Sequence, residues 1–152
     1  MLSFLNGHIK TLISLLTLFC SFSAYGQSDK KSLLKFDGYY ETDCYTEQGD
    51  DEGSQDYLRF YSTGKIINVG TDCEGSISEL KPWFNINAEQ VGKGDFEIKG
   101  RRLFFSTKSK TGIVKYKGRI KNNGQIKLKW KSLINGNRGH NRYKFIPVTG
   151  LT

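Results

Sequence analysis

The sequence has almost none of the residues and motifs on which common catalytic sites depend. Beyond its first 26 residues it holds a single histidine, His140, and it lacks Gly-x-Ser-x-Gly, His-Glu-x-x-His and phosphate-loop patterns. The acidic residues Asp50, Asp51, Glu52 and Asp56 lack the spacing of an EF-hand, and we interpret them as an exposed loop. The sequence therefore predicts no catalytic residues, no cofactor and no metal site.

Long apolar runs are absent after the first 26 residues. The one such run, Thr11–Phe22, follows Lys10 and precedes the small-residue site that ends at Gly26. About 12 apolar residues are typical of a secretory signal and fall short of the roughly 20 that span a bilayer as a helix. The sequence predicts a signal peptide over residues 1–26 and one exported domain over residues 27–152, periplasmic or secreted, with no transmembrane segment in the mature chain.

Cysteine is scarce, with three in the whole chain. Cys20 lies within the predicted signal peptide, and Phe19 stands where lipid attachment needs a small residue, which argues against a lipoprotein. The other two, Cys44 and Cys73, form an even pair in an exported chain and predict one structural disulfide. They do not have the Cys-x-x-Cys spacing of redox centres.

Proline occurs only at Pro82 and Pro147, and no stretch shows the apolar stripe of an amphipathic helix. Apolar and polar residues instead alternate, and Gly- or Asn-rich turns interrupt the alternation. This pattern predicts eight strands, and Pro147 stands near the exit of the last one, where proline is tolerated. The predicted strands are Phe36–Cys44, Tyr57–Ser62, Lys65–Thr71, Asp95–Lys99, Arg102–Thr107, Gly112–Lys121, Gln125–Leu133 and Asn141–Val148.

Short strands in sequential order predict an all-β, eight-stranded antiparallel up-and-down barrel, which hides its edges completely, in preference to a sandwich. Such a barrel is just wide enough to be filled by side chains or to hold one small ligand. The fifth strand is ambiguous, because Leu103, Phe104 and Phe105 are apolar on both faces. The alternation assigns eleven residues to the interior: Phe36, Tyr40, Leu58, Phe60, Phe96, Ile98, Tyr116, Leu128, Trp130, Tyr143 and Phe145.

One long irregular stretch, residues 72–94, separates the third and fourth predicted strands. It contains Trp83 and Phe84, and long loops often carry function. Two interpretations stay open at this point. The two aromatic side chains plug one end of the core, or Trp83 contacts a ligand.

The opening Phe36-Asp37-Gly38-Tyr39-Tyr40 resembles the Gly-x-Trp start of lipocalin-like proteins, with Tyr40 in the place of the tryptophan. A similar order of strands follows over nearly the whole mature chain. The resemblance implies a calycin-type barrel that binds a small apolar or amphipathic ligand. It also implies an arginine packed over the opening aromatic, and Arg138 or Arg142 has the right position. Avidin-like barrels are the nearest rival and are also non-enzymatic.

Acidic residues are absent after Glu97, whereas residues 98–152 contain 15 Lys or Arg. In the sixth and seventh predicted strands lysines alternate with apolar residues, so we expect the lysines on the outside of the barrel. Such a face fits an anionic glycan or a lipid head group, but rows of lysine also protect strands from aggregation. The predicted export and the absence of a recognisable nucleic-acid-binding motif argue against a nucleic acid as the partner.

Two functions are compatible with these patterns. An exported, non-enzymatic carrier or sensor holds a small ligand inside the barrel, and an envelope or extracellular interaction module instead uses its basic outer face around a packed core. We favour the first. Aromatic side chains that also carry a polar group both pack against and orient a guest. The predicted ligand contacts are accordingly Tyr40, Trp83, Tyr116, Trp130 and Tyr143.

Overall fold

The computed structural model describes residues 33–46 and 52–151, so the predicted signal peptide lies outside the described residues. Within them the chain forms eight strands in sequential order, each antiparallel to its neighbours, and the sheet closes into a barrel. This confirms the predicted fold. The strands are β1 Gly38–Glu41, β2 Gln55–Phe60, β3 Lys65–Thr71, β4 Gly92–Lys99, β5 Arg102–Lys108, β6 Ile113–Ile120, β7 Ile126–Ser132 and β8 Arg138–Pro147.

The barrel closes where β8 pairs with β1. Glu41 lies directly opposite Lys144, and the Lys144 Nζ is 3.3 Å from the Glu41 Oε1. A cross-strand pair of opposite charges favours this register over one shifted by a residue.

Inward-facing side chains fill the barrel as the alternation predicts. All eleven residues assigned to the interior pack in one cluster. Leu103 and Phe105 belong to the same cluster, so Phe104 between them faces outward and the ambiguity of the fifth strand is resolved.

The segment before β1 crosses one end of the barrel, which we call the closed end. Leu34 is buried in the interior cluster, and the Lys35 backbone N–H donates to the Tyr40 hydroxyl at 2.9 Å. The Tyr40 ring packs edge-on against Phe60, with centroids 5.6 Å apart, and against Phe145 at 5.1 Å. These aromatic side chains fill the closed end, because neither Tyr40 nor Phe60 has any exposed surface.

The arginine that the lipocalin-like resemblance implied over Tyr40 is absent from that position. Tyr143 and Phe145 face the interior of β8, so Arg138 and Arg142 fall on its outer face, where both are exposed. A lysine approaches this region instead, because the Lys35 Nζ lies 4.7 Å from the centroid of the Phe145 ring.

A second apolar cluster, which we call the outer cluster, lies on the outer face of β1–β3. Tyr39 and Tyr57 face outward there and are covered by helix α1 (Ile77–Leu80) and the connection that follows it. Phe84 is 3% exposed, and its ring centroid lies 5.4 Å from that of Tyr39. The interpretation that these aromatic side chains plug one end of the core is therefore wrong. Phe84 covers the side of the barrel, because the first three strands are apolar on both faces.

The opposite end carries the predicted Cys44–Cys73 disulfide, with Cα atoms 5.4 Å apart, and we call it the disulfide end. Three strands begin earlier than predicted: β2 starts at Gln55, β4 at Gly92 and β8 at Arg138. The glycines and polar residues before the predicted starts pair with β3 and β7 as regular strand. No helix in the described part of the chain is long and apolar enough to cross a membrane.

Candidate functional site

Polar side chains interrupt the apolar interior between the filled core and the disulfide end. Asp56 alternates with Leu58 on β2, and Asn141 alternates with Tyr143 on β8, so all four face inward. The Asn141 Nδ2 donates to the Asp56 Oδ2 at 2.9 Å. We call this group the interior polar site, and its members are Asp56, Asn68, Tyr116, Trp130, Asn141 and Tyr143.

Asp56 places an ionisable carboxyl inside the barrel. Burial raises the pKa of Asp56 above its ordinary value of 3.8, and the hydrogen bond from Asn141 opposes this shift. The carboxyl forms no ion pair with any described residue. Because a carboxylate has about four acceptor positions, a bound molecule has room to donate to it.

Two tyrosines lie within electrostatic reach of Asp56. Burial and then the Asp56 carboxylate raise the pKa of both Tyr116 and Tyr143, so both hydroxyls keep their protons and act as donors near neutral pH. The Tyr116 hydroxyl donates to the Asn68 Oδ1 at 3.2 Å. Asn141 lowers the pKa of Tyr143, yet no atom of the described residues lies in hydrogen-bonding geometry with the Tyr143 hydroxyl.

Trp130 adds a second donor without a partner. Its Nε1 is buried and has no hydrogen-bonding partner among the described residues. The ring is held against Gly139 on the neighbouring strand, where a Cβ atom would lie only 2.6 Å from the ring carbons. A side chain at position 139 would displace the indole, so glycine there fixes the position of the ring.

The interior polar site extends toward the disulfide end through Asn68. A cavity of about 220 Å³ is lined there by the inward-facing Asn68 and Thr107 and by the rim residues Trp83 and Ile134. Trp83 is 40% exposed and Ile134 52% exposed, so apolar side chains surround the opening. At the closed end, Leu34 and the aromatic cluster fill the interior.

The five predicted ligand contacts fall into three places. Tyr116, Trp130 and Tyr143 come together in the interior polar site. Tyr40 lies at the closed end, where its hydroxyl accepts from the Lys35 N–H. Trp83 stands outside the barrel wall at the opening. Contact of these residues with a ligand stays a prediction.

Sequence reasoning missed the polar members of the site. Asp56 was interpreted as part of an exposed acidic loop, but it is the second residue of β2 and faces inward. Extending the alternation of Leu58 and Phe60 back by one step places Asp56 on the interior face. The same step from Tyr143 back to Asn141 finds its hydrogen-bonding partner.

The lysine-rich strands have the orientation that the alternation predicts. Lys115 and Lys117 on β6 and Lys129 on β7 are exposed, whereas Tyr116 and Leu128 face the interior cluster. His140 also faces outward, opposite Lys129, and so lies apart from the interior polar site.

No protein-family model and no curated protein matches the sequence. The chain is similar to the protein in the crystal structure of a rhizavidin–biotin complex, with 13% identity and a TM-score of 0.41 over 74% of this chain and 93% of that chain. It is also similar to the fatty-acid-binding protein isolated from Manduca sexta, with 12% identity and a TM-score of 0.37 over 72% of this chain and 99% of that one. The closed meander of eight strands agrees with the barrel that the lipocalin-like resemblance implied.

Proposed function

We propose that this protein binds one small amphipathic ligand inside its barrel, at the interior polar site, and that its role is binding without catalysis. One observation carries the proposal: the Tyr143 hydroxyl and the Trp130 Nε1 are buried donors with no partner among the described residues. A buried polar group without a partner costs about 1–3 kcal/mol. A ligand that brings an acceptor removes this cost.

The surrounding side chains define the polarity of such a ligand. Its polar group carries an acceptor for Tyr143 or Trp130, and a ligand that also carries a donor gains a second contact with the Asp56 carboxyl, which accepts from Asn141 with only one oxygen. Its apolar part packs against the stacked rings of Phe105 and Tyr116, whose centroids are 4.5 Å apart. The ligand enters through the apolar opening at the disulfide end.

We also propose that the protein works outside the cytoplasm, in the periplasm or after secretion. The Cys44–Cys73 disulfide supports this placement, because disulfides persist in oxidising compartments. The predicted signal peptide, residues 1–26, gives the route of export. Mass spectrometry of the protein from its own host tests the placement, since export requires an amino terminus near residue 27.

Titration with prodan, a small neutral fluorophore that has one carbonyl acceptor, tests the binding function. We expect saturable binding of one molecule per chain. Tyr143→Phe removes a donor from the site and should weaken binding about three- to tenfold. Tyr39→Phe is the matched control, because it removes a hydroxyl from the outer face of the neighbouring strand β1 and should leave the affinity unchanged.

Equal affinity of Tyr143→Phe and the unmodified protein would overturn the placement of the ligand. The function itself would be overturned by the absence of prodan binding together with native mass spectra, from material purified from its own host, that show no co-purified small molecule.

A further inference from the structure

The outer face of β6 and β7 brings cations together in opposing pairs. Residues directly opposite in an antiparallel pair have Cβ atoms about 4.5–5.5 Å apart, and like charges at this distance are destabilising. Arg138 and Arg142 on β8 continue the same rows. We call this surface the basic face, and its opposing pairs are Lys115–Lys131, Lys117–Lys129 and Arg119–Lys127.

The cations of the basic face have no counter-charges within the described chain. None of the six forms an ion pair with a described residue, although the face borders two carboxylates of β4. Asp95 is 2.5 Å from Lys65, and Glu97 is 3.0 Å from Lys99, so both acids are already paired. An external anion therefore relieves the repulsion between the opposing cations.

The basic face is concave. Two adjoining depressions, of about 570 and 1000 Å³, follow it, and Phe104, Lys117 and Lys129 line both. The larger depression also borders Tyr116 and Trp130, whose strands form its floor. Phe104 lies half-buried between the cations and presents an aromatic surface in the middle of the groove.

We propose that the basic face binds a linear polyuronate, that is, a polysaccharide with one carboxylate on each sugar. This inference rests on the outer face and is independent of the ligand inside the barrel. Neighbouring strands lie roughly 4.8 Å apart, which is about the length of one hexose in such a chain. Each strand of β6–β8 carries one row of cations, so a polysaccharide that crosses these strands places one sugar over each row. The polarised C–H face of one sugar packs on the negative face of the Phe104 ring.

Other polyanions match the basic face less well. Single-stranded nucleic acid stacks its bases on several aromatic rings in succession. Among the outward-facing residues of β5–β7, Phe104 is the only aromatic one. Binding to a lipid surface gains strength from exposed apolar residues beside the cations, and here Leu133 and Ile134 lie away from the basic face, at the disulfide end.

Isothermal titration of the whole chain with oligogalacturonate tests the proposal, with neutral dextran as the carbohydrate control. We expect binding that weakens as salt is added, and no binding of dextran. Lys117→Glu combined with Lys129→Glu should weaken binding by about tenfold or more, because repulsion replaces attraction at the centre of the groove. Phe104→Ala should weaken it about threefold or more.

Lys108→Glu combined with Lys110→Glu is the matched control. It changes the net charge by the same amount at exposed positions that line neither depression, and it should leave the affinity within about twofold. An equal loss in both double variants overturns the proposal, because binding would then depend on overall charge. Tighter binding of an oligothymidylate, or binding of phosphatidylglycerol vesicles without binding of oligogalacturonate, overturns it in favour of another class of partner.

Discussion

At the scale of single residues, the interior polar site combines groups that respond to pH in different ranges. Tyr116 and Tyr143 keep their protons at neutral pH, because burial and the nearby Asp56 carboxylate raise the pKa of each hydroxyl. Burial also raises the pKa of Asp56 above 3.8. Among the ionisable groups of the site, this carboxyl loses its proton at the lowest pH. The protonation of this one carboxyl decides whether the unliganded interior carries a charge.

Asp56→Asn should stabilise the unliganded protein at neutral pH. The pKa of Asp56 in the folded state lies above 3.8, so the folded chain holds this proton more tightly than the unfolded chain. The stability that the carboxyl contributes is fully present below pH 3.8 and is lost as the pH rises through the folded pKa. Asparagine keeps an acceptor for Asn141 and carries no charge.

Urea unfolding of Asp56→Asn and the unmodified protein at several pH values measures this effect. The difference in the free energy of unfolding should be positive at neutral pH and shrink toward zero as the pH approaches 3.8. A difference that does not depend on pH would show that burial does not perturb this carboxyl.

Alternation along the strands predicted the aromatic part of the site but not its polar part. Tyr116, Trp130 and Tyr143 carry an apolar ring, so a period of two assigns them to the interior directly. Asp56 and Asn141 face inward for the same geometric reason, but isolated polar residues at the end of a strand are usually exposed. Only the closed barrel, which brings β2 and β8 within hydrogen-bonding distance, reveals their contact.

At the scale of structural elements, the first three strands differ from the other five. Their inner face joins the barrel interior, and their outer face carries the outer cluster under helix α1 and the following connection. Tyr39 shows how well this face is covered, because burial, followed by the Glu41 carboxylate, raises its pKa to about 12. Among the described residues no segment covers strands β5–β7 in this way, and lysines occupy the outer face of β6 and β7.

Phe84→Ala should destabilise the protein by about 3–5 kcal/mol, because it removes a buried ring from the outer cluster. Trp83→Ala is the matched control, because the Trp83 side chain is 40% exposed and its removal should cost clearly less than the removal of Phe84. Chemical unfolding measures both variants. A larger loss for Trp83→Ala than for Phe84→Ala would reverse the assignment of the two side chains.

The outer cluster was not predicted because alternation indicates only one buried face at a time. Tyr39 and Tyr57 are amphipathic and were compatible with an exposed position. Ile66 and Ile67 gave the clearer signal, since adjacent apolar β-branched residues are typical of a strand that is covered on both sides. Which segment supplies the cover depends on how the chain crosses the barrel, and the local pattern of residues 72–91 does not encode it.

At the scale of the whole molecule, the basic residues and the segment that covers the barrel wall lie on different sides of the barrel. The side built from β1–β3 is covered by the chain itself and lies next to the Cys44–Cys73 disulfide. The side built from β6–β8 displays the basic face and accounts for much of the net charge of +8. The two proposed binding sites, one inside and one outside, therefore use different surfaces of the same small barrel.

Removing the disulfide should lower the free energy of unfolding by about 2–4 kcal/mol, because the bond closes a loop between residues 29 apart in sequence. The double variant Cys44→Ser and Cys73→Ser, compared with the unmodified protein in urea, measures the effect. Reduction of the unmodified protein with dithiothreitol should reproduce it. Unchanged unfolding midpoints in both experiments would mean that the loops at the disulfide end hold their positions without the bond.

The closed end has a practical consequence for handling the molecule. The chain passes residues 33–37 there before it enters β1, on the opposite side from the opening beside Trp83 and Ile134. Immobilising the barrel on a sensor chip through a tag placed ahead of residue 33 thus leaves the mouth of the barrel facing the flowing solution. A tag inserted in the loop at residues 133–137 would instead sit over that mouth and hinder diffusion into it.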